Sequence, residues 1–330
     1  MTAAPGPLTV LGAGAIGCFI GGRLQAAGAQ VHFVGRPRVI DALRREGLTL
    51  TDLEAAPVTL PAEALKLHAE GPPGAALVLL CVKSGATAEA ARSLPAGSLV
   101  LSMQNGLSNA ATAAVAGSDL SVLPGMVPFN VAELGPGRYH RGTFGTLAAQ
   151  DHAGLRPWLP LFAAAGLPLT LHADLGPVQW GKLLLNLNNP VNALSGLPLR
   201  AQLLDRGHRR ALAALQTEAL DLMQAAGIRP AQLTPLPPRR LAQVLRLPNW
   251  LFKRVAARML RIDEMARSSM ADDLARGRRT EIDALCGEVV RLAESIGRRA
   301  PLNARMARLV EQDPSPRSGA ALWRDLTGDA

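Results

Sequence analysis

Between Leu8 and Leu171 the chain alternates two kinds of apolar pattern. Short continuous runs, TVLG at 9–12, QVHFVG at 30–35, ALVLLCV at 76–82 and SLVLSM at 98–103, are bounded by Gly, Pro or polar residues, and LPLTLH at 167–172 closes the series. Runs this short and this rich in Val and Leu predict strands buried on both faces. Helical stretches between them predict a parallel sheet, because parallel strands need long crossovers. Beyond Asp174 the strand signal stops. Apolar residues then recur at helical spacing over 177–196, 207–226, 235–260, 263–276 and 281–297, punctuated by Gly227, PLPP at 235–238 and Pro301. The pattern predicts an α/β fold: a doubly wound sheet over residues 1–172, followed by an all-α domain over 173–330.

Composition narrows the class. A chain of 330 residues that is 48% hydrophobic can bury two cores. No membrane span is expected, since the uncharged stretch from Leu94 to Ser118 is interrupted by Gln104, Asn105 and several Gly and Ser. MTAAPGPLTV lacks a basic leader, so no signal peptide is expected. Cys18, Cys81 and Cys286 lie far apart, which fits neither a disulfide framework nor a metal site and agrees with a cytoplasmic setting. The six histidines likewise show no ligand spacing, so no metal is expected. The net charge of +9 arises mostly beyond residue 172, with 24 basic against 16 acidic residues there. Only four of the 35 basic residues are lysines, and the aromatic content is 3%. That balance favours a small anionic ligand, with no nucleic-acid partner, because a base-stacking platform needs aromatic rings.

VLGAGAIGCFIGGRL places Gly12, Ala13, Gly14, Ala15, Ile16 and Gly17 in G-x-G-x-x-G spacing, after a strand and before a helix. In such a motif the first glycine makes the tight turn, the second lets backbone approach a pyrophosphate, and the third packs helix on strand. A Rossmann-type dinucleotide site follows. The second strand ends in VGRPRV, with Arg36 and Arg38 where an NAD-preferring site carries a carboxylate. A guanidinium matches a 2′-phosphate, so NADPH/NADP+ is the expected cofactor; surface arginines in an arginine-rich chain are the plainer reading. Lys83 and Asn105 follow two further strands, at the sheet edge where ligands bind, and each could also be an ordinary loop residue.

The segment GKLLLNLNNPVNALSG, 181–196, sets one lysine and four asparagines into an apolar helix. At about 100° per residue, Lys182, Asn186 and Asn189 share one face. An ammonium buried there needs a partner or a function, unless it snorkels to solvent. Glu281, opening a helix with the apolar stripe Ile282, Leu285, Val289 and Leu292, is the candidate carboxylate. Thr280 is a candidate N-cap for the same helix, which would make Glu281 a favourable first-turn acid. Pro190 predicts a kink near Asn189.

GAGAIG, VKS at 82–84, QNG at 104–106, GKLLLN at 181–186, SSM at 268–270 and TEIDALCGEVV at 280–290 together resemble the ketopantoate reductase (2-dehydropantoate 2-reductase) family, within the 6-phosphogluconate-dehydrogenase-like folds. The likeness spans essentially the whole chain. It implies that Lys182 is the general acid and that Glu281 positions it and the cofactor ribose. It also implies that Asn186 and Ser269 hold the substrate, that Asn105 touches cofactor and substrate, and that Arg36 takes the 2′-phosphate. Family members carry a second substrate asparagine four residues after the first. Here Asn188 and Asn189 stand two and three residues on, before Pro190, which makes Asn189 the nearer counterpart.

The expected reaction is reduction of a small 2-keto acid, ketopantoate first among them, with Lys182 protonating the carbonyl oxygen as negative charge grows on it. The alternatives are a related NAD(P)-dependent 2-keto or 2-hydroxy acid dehydrogenase and a non-catalytic NADP-binding redox sensor. A homodimer is compatible with the sequence.

Overall fold

A computed structural model of the protein describes residues 5–53, 55–71, 73–257, 260 and 266–328. It divides into two compact units, Met1–Leu175 and Gly176–Ala330. The first unit runs β1 (Leu8–Leu11), α1 (Ala15–Ala26), β2 (Val31–Val34), α2 (Pro37–Glu46), β3 (Leu48–Thr51), β4 (Val58–Leu60), β5 (Lys66–His68), β6 (Leu77–Leu80), α3 (Thr87–Arg92) and β7 (Leu99–Ser102). It continues through α4 (Asn109–Ala116), β8 (Ser121–Met126), β9 (Val131–Gly135), β10 (Arg138–Arg141), β11 (Leu147–Gln150), α5 (Leu159–Ala164) and β12 (Leu169–His172).

The main sheet has eight strands in the order β12-β11-β8-β7-β6-β1-β2-β5. From β5 across to β8 every pair is parallel; β11 then runs antiparallel to β8 and parallel to β12. The chain leaves β1 toward β2 on one side and reaches β6 on the other, so the order reverses between β1 and β6. In open α/β sheets that reversal opens a crevice beyond the carboxyl ends of the strands. Each of the five strands expected from the sequence is present, with ends displaced by at most two residues. A second sheet, in the order β4-β3-β10-β9, was not foreseen. Helix α1 is packed between the two sheets. A Cβ at Gly21 would stand 2.7 Å from Phe33 and one at Gly22 2.7 Å from Leu48, which explains the paired glycines in the middle of a helix. Phe19, Ile20 and Leu24 of α1 and Phe33 of β2 are fully buried, each side chain worth about 1.5–3 kcal/mol of apolar burial. Arg141 and Asp52 tie the small sheet down through a buried 2.8 Å ion pair, with the guanidinium over the rings of Phe19 and Phe129.

The second unit is helical: α6 (Gly176–Asn186), α7 (Asn188–Ser195), α8 (Leu199–Leu204), α9 (Arg206–Ala225), α10 (Pro238–Leu245), α11 (Asn249–Val255), α12 (Ser269–Ala275), a π-helical turn at Asp283–Gly287, α13 (Glu288–Ser295), α14 (Pro301–Gln312) and α15 (Gly319–Thr327). Twenty-residue α9 is central, with α7, α8, α10, α13, α14 and α15 against it. Asp205 caps it by accepting from the His208 N–H at 3.0 Å, a bond that satisfies one orphan donor of the first turn.

Three helices differ from expectation. The stretch 235–260 is not one helix: Pro248 cannot supply an N–H, so α10 ends and α11 begins there. Fully buried Arg209 takes up the carbonyls at that break, donating to Leu245 O, Leu247 O and Asn249 Oδ1 while stacking on Phe252 at 4.0 Å. In the rest of that span 258–259 lie outside the described residues, as do 261–265 around the start of the helix expected over 263–276, whose described part begins at Ser269. The helix expected at 281–297 begins at Asp283, so Thr280 is not its cap. Helix 177–196 is divided at Leu187, three residues before Pro190. The proline ring, which clashes with a preceding helical turn, is accommodated in the first turn of a new helix.

Candidate functional site

In the first unit, register lines up the strand ends. Leu11 pairs with Val34 and Leu80, and Leu80 with Ser102, so the segments starting at Gly12, Gly35, Cys81 and Met103 leave the sheet at one edge. The three glycines of the turn have three separate causes. Gly12 has φ +112°, and a Cβ there would lie 2.6 Å from the backbone of Cys81 and Val82. A Cβ at Gly17 would lie 2.2 Å from the Gly12 carbonyl oxygen. A Cβ at Gly14 would meet nothing within 4 Å. Fold packing therefore demands the first and third glycines, and the second leaves open space above the start of α1. That helix begins at Ala15 with no side-chain cap and no acidic residue in its first turn, an arrangement that leaves N–H groups and the helix dipole for an anion.

The two arginines part company. Arg38 makes an ion pair with Glu133 at 3.7 Å. Arg36, the residue before α2, is exposed and its guanidinium has no partner among the described residues. Exposed Lys83 and half-buried Asn105 stand on the loops after β6 and β7. These loops are joined by buried polar groups, Ser102, Gln104, Thr87 and Asn109, of which the sequence singled out only Gln104, as part of QNG.

In the second unit, Lys182 and Asn186 are one turn apart on α6, as expected. Gly181 lets the helix pass under the chain at Ala231, whose carbonyl oxygen would be 2.5 Å from a Cβ. Lys182 is half-buried by surface, yet protein surrounds its ammonium closely enough that burial pushes its pKa from 10.5 down to about 8. Asn186 is buried. Asn188 and Asn189 open α7 and are distinguished by their surroundings. The Asn188 side-chain oxygen is buried without a hydrogen bond, whereas Asn189 is part-exposed and its amide has no partner among the described residues.

Asn189 is also linked to the serine pair. Ser268 donates to the Asn189 carbonyl at 3.2 Å, accepts from Ala271 N–H as the cap of α12, and is held through its own N–H by Asn192 Oδ1 at 2.9 Å. Ser269, the next residue, is exposed with no side-chain partner among the described residues. Sequence reasoning missed the support that fully buried Asn192 and buried Ser268 supply. Half-buried Glu281 lies two residues before the π-helical turn, whose Ala284 N–H bonds its carbonyl oxygen.

A glycine turn of this form at the reversal of a parallel sheet, with a desolvated amine on a separate helical unit, defines a dinucleotide-dependent oxidoreductase. Family models described as ketopantoate reductase PanE/ApbA and its C-terminal part match residues 8–154 and 174–313. The chain belongs to the ketopantoate reductase family. It is 30% identical to the 2-dehydropantoate 2-reductase of Halobacterium salinarum, over 92% of this chain and 97% of that one. The enzyme of the same name from Pyrococcus horikoshii is 27% identical, over 94% and 98%. A crystal structure of a PanE/ApbA family ketopantoate reductase from Ralstonia eutropha superposes with a TM-score of 0.77 at 29% identity, covering 92% of this chain and 97% of that one. A D-mandelate dehydrogenase solved with NADH and anilino(oxo)acetate shares the fold at 17% identity and TM-score 0.74, over 93% and 98% of the two chains.

Proposed function

We propose that the protein reduces ketopantoate (2-dehydropantoate) to pantoate with NADPH. The observation that carries this reading is Lys182: an amine held by burial at a pKa of about 8, one turn from an asparagine, on the helix of a ketopantoate reductase family member. Its ordinary value of 10.5 would make it a poor proton donor near neutrality, and Brønsted behaviour favours an acid whose pKa lies near the working pH.

NADPH, when bound, supplies the hydride. The first unit's residues fit such a cofactor. Gly12, Ala13, Gly14, Ala15, Ile16 and Gly17 form the pyrophosphate cradle, open at Gly14, and Arg36 has its guanidinium available for the 2′-phosphate. Lys83 and Asn105 serve the nicotinamide half from the neighbouring loops. In the second unit Lys182 gives its proton to the C2 oxygen of the keto acid and stabilises the charge that grows there. Asn186, the Asn189 amide and the Ser269 hydroxyl hold the substrate's polar groups. Glu281 orients the Lys182 amine and the cofactor ribose. No helix among the described residues is long and apolar enough to cross a membrane. We place the enzyme in the cytoplasm and take its assembly to be a homodimer, since a ketopantoate reductase of the same fold from Staphylococcus aureus is dimeric.

A second reading, reduction of a different 2-keto acid, is favoured by one feature. The helix break at Leu187 and the shortened spacing to Asn189 shift the second substrate amide relative to the family pattern. The test is loss of NADPH absorbance with ketopantoate and with simpler 2-keto acids, each repeated with NADH. Ketopantoate with NADPH should give the highest kcat/KM. A higher value for another keto acid would replace the substrate assignment, and no turnover with any would favour a binding protein without chemistry.

A further inference from the structure

The loops after β6 and β7 are stitched together by a closed polar network with no role yet assigned. Gln104 donates from Nε2 to the Val82 carbonyl at 2.9 Å and to Thr87 Oγ1 at 2.7 Å, and accepts from Ser102 Oγ at 3.0 Å. Thr87 passes its hydroxyl hydrogen to Asn109 Oδ1 at 3.0 Å. Asn109 donates to Ser84 Oγ at 3.1 Å and to the carbonyl of Asn105. Both amide groups thus use both of their N–H bonds and their oxygen. Thr87, Ser102, Gln104 and Asn109 are all at most 9% exposed. A satisfied network at that depth is rigid, and one deletion orphans several groups.

What the network holds is specific. Val82 and Ser84 flank Lys83, and Gln104 adjoins Asn105, whose own carbonyl is a member. The Gly12 turn rests on Cys81 and Val82 so closely that no Cβ fits between. Three loops that leave the sheet at one edge are therefore fixed to one another by groups lying beneath them.

We propose that Gln104, Thr87 and Asn109 are positioning residues for the dinucleotide, setting Lys83, Asn105 and the glycine turn at the spacing that the cofactor requires. This rests on the cofactor reading given above. An ordinary core network would stabilise the unit without altering the affinity of the folded protein. A positioning network alters that affinity, and its effect depends on the hydroxyl at position 87.

The experiment is an NADPH titration of the full-length protein without keto acid, followed by cofactor fluorescence or calorimetry, together with thermal unfolding. Thr87→Val keeps the shape but removes the hydroxyl, leaving Gln104 and Asn109 each one partner short. The expected result is an NADPH Kd raised roughly tenfold in folded protein, with Thr87→Ser restoring the wild-type value. Should Thr87→Val fail to fold, Ser102→Ala removes a single bond at the base of the network, and its Kd should rise about threefold. A lower Tm with unchanged Kd, or no effect on either, overturns the proposal, as does wild-type protein that does not bind NADPH. Wild-type protein that binds NADPH but leaves ketopantoate unreduced defeats the substrate assignment alone.

Discussion

At the glycine turn of the first unit, the groups proposed to meet the cofactor are backbone N–H groups at a helix start, and what matters about the side chains is their absence. In the site proposed for the second unit the working groups are side-chain amides, a hydroxyl and an amine, drawn from positions 182 and 186 on α6, 189 on α7 and 269 on α12. A backbone site draws on few segments, here the turn itself and the neighbouring strand end at Cys81 and Val82 on which Gly12 rests. A side-chain site is assembled from distant segments, and its parts need support of their own, as Asn192 and Ser268 give to α7 and α12. The first kind of site tolerates no added carbon, and the second tolerates no lost polar atom.

Substitutions can break this contrast. The largest effect is expected for Lys182→Ala, which should lower kcat by about 10²–10⁴ while leaving the NADPH Kd unchanged; steady-state kinetics with a separate cofactor titration check it. Next, Arg36→Ala should weaken NADPH about 10–100-fold and leave NADH as before, the span expected when charged hydrogen bonds are lost. Arg38→Ala, already paired with Glu133 at the surface, should change the NADPH Kd less than about fivefold. The glycines sharpen the comparison further. Gly17→Ala drives a Cβ to 2.2 Å from a carbonyl oxygen and should cost roughly 1–3 kcal/mol of stability in denaturant unfolding. Gly14→Ala has open space to fill, so it should leave stability unchanged and weaken NADPH binding.

The same contrast explains what was readable beforehand. The five expected strands were legible because a strand covered on both faces is a continuous apolar run, and the glycine turn was legible because its spacing lies within six consecutive residues, although the packing of Gly12 on Cys81 and Val82 was not. Strands β3, β4, β9 and β10 of the small sheet escaped, as did β5, β8 and β11 of the main one, and those of the small sheet lack a continuous apolar run because most of their residues are only half-buried or exposed. Their identity depends on partners far away, such as Tyr139 opposite Leu50. The break in the lysine helix was expected near Asn189 and lies at Leu187, since a proline is better housed inside a first turn than at a kink. Lys182 stood out as an ammonium among leucines, but its lowered pKa is a property of the packed helix. Thr87 and Asn109 look like ordinary polar residues in one dimension, and only their distances to Gln104 of QNG reveal the network.

The measurement that tests the account most directly is kcat for ketopantoate reduction as a function of pH under saturating NADPH. The donor must be protonated, so with a pKa lowered by burial to about 8 the rate should hold level below that pH and fall about tenfold per unit above it. The break should be absent from the residual rate of Lys182→Ala. A wild-type profile that stays flat to pH 10, or a break that survives in the variant, would contradict the assignment of Lys182 as the acid.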